Sequence, residues 1–192
     1  MTNGEARKVV VCHIGSGASL CAIEDGKCMD TTMGLTPLDG VMMGTRCGSI
    51  DPATVCYLQR EGGYTFDEVD EMMNKKSGLM AVTGGKTNDC RNVEELAAAG
   101  DPEAQLAFDM FVYKIAASAE MATSMCGMDT LVFTAGIGEH APAVRAGVAD
   151  RLPLWVSRWT MPATPCVATA LGACPPRIPR SRSSSSPRTR SS

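Results

Sequence analysis

An α/β domain is predicted by three observations. The chain opens as strand, glycine turn, strand, Asp-Gly turn, strand. A long stretch with helical periodicity lies past its middle. After it comes DTLVFTAG (Asp129–Gly136), whose apolar centre reads as a buried strand and leads into another helix. Strands alternating with helices in this way point to a sheet with helices packed on it.

The elements follow in order. KVVVC (Lys8–Cys12) is short, β-branched and apolar, the pattern of a buried strand. HIGSG turns the chain into ASLCAIE (Ala18–Glu24), and Asp25-Gly26 is a hairpin turn before KCMDTTM (Lys27–Met33). Residues 34–51 are rich in Gly and read as loop, with a turn of helix at Leu38–Met43. Asp51-Pro52 caps and opens a helix to about Arg60, and Thr65–Asn74 reads as another. Asp101-Pro102-Glu103 combines a capping Asp, Pro at the first helical position and an acid in the first turn. Ala104, Ala107, Phe108, Phe111, Val112, Ile115, Ala119 and Ala122 then recur with helical spacing, so one long amphipathic helix is expected. Ala141–Arg151 forms the last predicted helix.

The chain has 192 residues, 44% of them hydrophobic, enough for one domain with a real core. Residues 1–151 carry 12 Lys and Arg against 21 Asp and Glu, a net charge of −9. From Leu152 onward there are six Arg and no acid, ending in RSRSSSSPRTRSS. This step divides the chain into a body, 1–151, and a basic tail, 152–192, whose Pro, Ser and Arg content predicts disorder. Such asymmetry raises a nucleic-acid reading of the tail. The acidic body and the lack of interleaved aromatics argue against it. No apolar run approaches the ~20 residues of a membrane span, and the first residues lack a signal-peptide core, so a cytoplasmic protein without membrane partners is expected. Nine cysteines, an odd number without C-x-x-C spacing, read as reduced thiols rather than disulfides or a zinc site.

Four polar turns carry candidate chemistry. In HIGSG (His13, Ile14, Gly15, Ser16, Gly17) the glycines let backbone N–H groups approach an anion. TAGIGEH places Gly136, Ile137, Gly138, Glu139 and His140 between a buried strand and a helix, where a phosphate or nucleotide can sit. Asp89 and Arg91, flanking Cys90 in NDCR, can bind ribose or phosphate or form a solvated pair. Arg46 lies in the Gly-flanked GTRCGSIDP, where a guanidinium can reach a transferring phosphoryl group. His13 and His140, the two histidines, both fall in glycine turns. Each motif taken alone is also compatible with ordinary turn or surface structure.

Together the segments resemble the acetate kinase family. The matching stretches are CHIGSGASLCAIEDGK, DTTMGLTPLDGVMMGTRCGSIDPA, NDCRNVEE, AFDMFVYKIA and DTLVFTAGIGEHAPAVR, in the family's order from about Lys8 to Leu152. The resemblance implies an actin-like fold of the sugar kinase and heat-shock ATPase class, of which this chain looks like only the second domain. It implies ATP and Mg2+ as cofactors, and phosphoryl transfer to acetate that gives acetyl phosphate and ADP. It assigns His13–Gly17 to the phosphates, Asp89, Cys90 and Arg91 to the nucleoside, Gly136–His140 to the adenosine and phosphate region, and Arg46 to the transition state. It also implies a homodimer formed through this half. The family usually has Asn at Ser16, Asp at Ser49 and Asn at His140, which puts those local contacts in question. The family's first domain, with further catalytic residues and much of the acetate pocket, has no counterpart here. The expectation is a fragment inactive by itself, with half of a split kinase, or a nucleotide-binding remnant, as the rival.

The tail is also open to a second reading. Leu152–Met161 can be encoded by bases that, shifted, read AVVGVEVDD, as the family continues after its helix. The same shift lets Arg180–Ser192 yield VKVIVVPTDEEL, so the tail is expected to be out of frame.

Overall fold

The structure, a computed structural model, describes residues 6–152 together with 159–160 and 167–170, the last two segments as backbone. A mixed sheet runs through the domain in the order β3-β2-β1-β4-β6-β5. Its strands are β1 (Lys8–Ile14), β2 (Ala18–Glu24), β3 (Lys27–Thr31), β4 (Thr130–Thr134), β5 (Trp159–Thr160) and β6 (Val167–Ala170). β1 and β2 pair antiparallel, with His13 opposite Ser19 and Ile14 opposite Ala18, so the glycine turn sits at the hairpin's end. β4 lies parallel to β1 and brings Thr134 level with His13. Two chain reversals distant in sequence, at residues 15–17 and after 134, therefore share one end of the sheet.

Period-two alternation decides which side chains go inside. Val10, Cys12 and Ile14 of β1 are fully buried, as is Leu20 of β2. They meet helix α5 (Pro102–Ala119), whose Ala104, Ala107, Phe111, Val112, Ile115 and Ala119 form its buried stripe. The Asp101 carboxylate starts this helix by accepting from the N–H groups of Glu103 and Ala104 at 3.0 and 3.1 Å. The shorter helices are α1 (Ala53–Arg60), α2 (Phe66–Lys75), α3 (Gly78–Val82), α4 (Cys90–Ala98), α6 (Ala135–His140) and α7 (Pro142–Asp150). Thr65 and Glu68 form a reciprocal capping box at the start of α2.

Several expectations change. Residues 34–51 hold no helical turn at 38–43; the chain there is tied down by Asp39, Ser49 and Gly40 instead. α3, α4 and a 3-10 turn at Glu120–Met125 were not expected. β3 stops at Thr31, two residues early: Thr32 N–H still donates to the Leu20 carbonyl, but Leu20 N–H donates to the Thr32 hydroxyl instead of its carbonyl, which ends the ladder. The predicted disorder of 152–192 and its frame lie largely outside the described residues. Within that range Leu152 is buried, β6 pairs antiparallel to β4, and β5 pairs to β6. The open side of β4 offers unpaired N–H and C=O groups, and the segment VATA can complete them.

Two stability predictions arise here. Thr130 is fully buried, and among the described residues its hydroxyl oxygen is the buried side-chain polar atom without a hydrogen-bond partner. Thr130→Val keeps the shape and removes that desolvated hydroxyl. It is expected to raise the unfolding free energy by about 1 kcal/mol in urea titration.

Lys86 holds the Asp101 carboxyl below its ordinary value, with the N–H of Ala104 adding to the effect. The folded-state value therefore lies under the unfolded one. This contribution is complete above about pH 4 and is lost as pH falls through the folded value. Asp101→Asn still caps but loses the ion pair. The stability gap between variant and parent, read from urea midpoints, is expected to narrow steadily below about pH 4.

Candidate functional site

Beside the end of the sheet where the 15–17 turn and the end of β4 meet lies a cleft of about 660 Å³. Gly15, Ser16 and Gly17 form one wall; Gly136, Ile137, His140 and Ala141 form another; Gly44, Thr45 and Arg46 a third; Asn88 to Arg91 a fourth. Leu79 and Phe111 supply apolar surface from the core side. The polar turns separated by up to about 120 residues thus face a single space.

The walls are fixed by local chemistry. In the first turn Gly15 N–H donates to the Gly17 carbonyl at 2.9 Å, which closes the turn and uses that donor. A Cβ on Gly17 would come within 3.3 Å of an Arg46 nitrogen, so the guanidinium packs closely over the turn. Arg46 is half-buried. Its Nη1 is 3.4 Å from the Pro37 carbonyl and 3.6 Å from Met43 Sδ, and among the described residues no carboxylate pairs with it. An uncompensated cation beside a glycine turn attracts an anion.

The loop holding Arg46 hangs on α3. Ser77, Leu79 and Met80 N–H donate to the carbonyls of Thr45, Met43 and Gly44 at 3.0, 2.9 and 2.9 Å, and Met43 N–H donates to the Arg46 carbonyl. Gly78, with φ of +64°, makes this contact possible, since a Cβ there would stand 2.1 Å from the Met43 oxygen.

Asp89 is a helix cap first. It accepts from Arg91 N–H at 2.9 Å and pairs with the Arg91 guanidinium at 2.6 Å, which holds the carboxyl below its usual range. Cys90 is almost wholly buried, and burial pushes its thiol up to about 12, so it presents a neutral, weakly polar wall. Ser49, where the resemblance implied an Asp, carries a hydroxyl that donates to Asp39 at 2.6 Å and braces the loop away from the cleft.

Of the sequence candidates, Gly15, Ser16, Gly17, Arg46, Asp89, Cys90, Arg91, Gly136, Ile137 and His140 line the cleft. Four do not. Ile14 is fully buried in the core, as the alternation with Val10 and Cys12 requires. Gly138 packs its bare face on Phe133, so a Cβ would lie 3.4 Å from the backbone there. His13 Nδ1 bonds Thr134 Oγ1 at 2.9 Å and ties β1 to β4. The Glu139 and Gly138 carbonyls accept from Arg145 at 2.7 and 3.0 Å, which closes the end of α6. The sequence reading missed Gly44, Thr45, Asn88, Leu79, Phe111 and Ala141. The first three lie within motifs already singled out, whereas Leu79 and Phe111 carry no signal distinct from core.

The chain matches the family model described as the acetokinase family over residues 2–159. It is 46% identical over 146 residues to the acetate kinase of Coprothermobacter proteolyticus, covering 76% of this chain and 36% of that protein. It is 50% identical over 151 residues to acetate kinase 2 of Clostridium perfringens, covering 78% and 38%. Among solved structures, Porphyromonas gingivalis acetate kinase superposes with a TM-score of 0.75 at 33% identity, covering 84% of this chain and 44% of that one. A propionate kinase from Francisella tularensis gives 0.73 at 42% identity, covering 79% and 39%. The chain therefore spans little more than a third of the length of these curated relatives. Its sheet and helices are those of an actin-like kinase domain, and the chain belongs to the acetokinase family.

Proposed function

We propose that this chain forms the nucleotide-holding part of a kinase that moves a phosphoryl group between ATP and acetate, giving acetyl phosphate and ADP. The observation that carries this is the convergence of the Gly15–Gly17 turn, of Gly136, Ile137 and His140 on α6, and of Arg46 on one cleft. The Ser16 N–H and hydroxyl and the Gly17 N–H are the donors for the phosphates. Leu79, Ile137 and Phe111 offer apolar surface to the base, and Asp89 with Arg91 stands at the nucleoside side. Arg46 neutralises charge that develops on the transferring group, so catalysis is positioning plus electrostatics. Among the described residues no group of three or more His, Cys, Asp or Glu could hold a metal. Magnesium is proposed to enter bound to the nucleotide. His13, Ile14, Gly138 and Glu139 shape the walls from behind rather than touching ligand.

The acceptor site is proposed to come from the family's first domain. Purified chain is expected to form no acetyl phosphate from ATP and acetate in a hydroxamate assay, and to form it when that domain is supplied. Rapid acetyl phosphate formation by the chain alone contradicts this division of labour. Half of a split kinase is the second reading, supported by the meeting of four separate segments at one cleft. It differs in requiring a separately encoded partner. A homodimer through this domain is proposed, to be read by sedimentation. Among the described residues no helix is long and apolar enough to cross a membrane. A cytoplasmic setting is proposed. The nucleic-acid reading of the Ser/Arg run gains nothing from the family match.

A further inference from the structure

Away from the cleft, on the far strands of the sheet, Cys21 of β2 and Cys28 of β3 bring their sulfurs to 3.4 Å. The register explains the approach. Cys21 stands opposite Thr31 and Ile23 opposite Cys28, with an irregularity between Ala22 and Ile23. Two residue steps on β2 thus face three on β3. In a regular ladder such diagonal neighbours sit ~7–8 Å apart; the bulge draws this pair together.

Position favours reaction as well. Cys28 is exposed and Cys21 partly so, while all five residues of β3 are exposed. β3 is the edge strand and pairs on one side only, so its backbone can yield. A disulfide needs about 2.05 Å between sulfurs, so the two must close by roughly 1.4 Å, within reach of side-chain rotation and a small strand shift. Burial, with Cys28 adding, pushes the Cys21 thiol up to about 11. Cys28, the exposed one of the two, meets the reagent first, and Cys21 is the one that resolves.

We propose that Cys21 and Cys28 form a dithiol site that a small-molecule disulfide, such as oxidised glutathione, converts to an intramolecular disulfide. The Cys28 thiolate attacks one sulfur of the reagent, breaks its S–S bond and releases one thiolate. Cys21 then loses its proton and attacks Cys28 Sγ, releasing the second. Two protein thiols are oxidised, one reagent disulfide is reduced to two thiols, and the protons released leave with them.

The test uses the intact chain, reduced and then incubated with oxidised glutathione, alkylated without reduction and digested with trypsin. Cleavage after Lys8, Lys27 and Arg46 yields peptides 9–27 and 28–46, so a link between Cys21 and Cys28 joins two otherwise separate peptides. The expected product is this joined pair, lighter by two hydrogens than the sum of its reduced parts. Fragment ions should place the link at Cys21 rather than at the buried Cys12. Cys28→Ser, an exposed and conservative change, should abolish the joined pair and leave Cys21 alkylated. Full alkylation of both cysteines after oxidation, a glutathione adduct that stays on Cys28, or a link to any other cysteine each overturns the proposal.

Discussion

A chain carrying Gly78→Ala is expected to lose about 3–5 kcal/mol of stability, a large share of the 5–15 kcal/mol typical of a domain. Two costs combine. The residue has φ of +64°, where any side chain pays roughly 1–2 kcal/mol. The new Cβ would also stand 2.1 Å from the Met43 oxygen and 2.9 Å from that of Arg46. Both atoms are backbone, so no side chain can swing aside. Relief comes only by pulling the 43–46 loop off α3, which breaks its hydrogen bonds to Ser77, Leu79 and Met80. Urea unfolding reads the stability loss. Nucleotide binding should fall too, because this loop carries Arg46 and the cleft wall of Gly44 and Thr45. A variant as stable as the parent would mean that the loop does not lie on Gly78 as described.

Replacing Arg46 is expected to act on chemistry rather than on folding. Its side chain is half-buried, pairs with no carboxylate among the described residues and makes only long contacts to Pro37 and Met43. Arg46→Ala should therefore leave the unfolding midpoint nearly unchanged. When the chain is supplied with the family's first domain, phosphoryl transfer should fall on the order of 10³-fold, as when a charge-stabilising arginine is lost. ATP affinity should fall far less, since the guanidinium matters most where charge builds up in the transition state. Arg46→Lys should recover little, because an ammonium cannot reproduce the planar fork. An equal loss in binding and in turnover would instead make Arg46 a ground-state phosphate ligand.

Much of the frame was legible because its signals are local. The bounds of β2 match the run ASLCAIE, and Asp101-Pro102 marks the start of α5 as its capping chemistry requires. The family resemblance brought Arg46, the HIGSG and TAGIGEH segments and NDCR to one site, which spacing alone left open. What escaped was of two kinds. α3 is five residues long, too short for periodicity to show, and its role depends on Gly78 meeting a loop some 30 residues earlier. α4 was hidden by NDCR, whose Asp and Arg read as ligand groups yet serve as the helix's cap and its ion pair. Tertiary placement also separates Ile14 from Ser16, and Gly138 from Gly136. Within each motif the neighbours face opposite ways, one into the core and one into the cleft.

The claim that the cleft holds a nucleotide is tested most directly by calorimetry. Magnesium ATP is titrated into the parent chain and into Gly136→Trp. Gly136 lines the cleft, and a Cβ added to it would meet nothing within 4 Å, so a large side chain there starts out in open space beside the proposed ligand. Saturable ATP binding by the parent, lost in a variant that unfolds at the same urea concentration, is the predicted result. No binding by the folded parent, or equal binding by both proteins, would contradict it.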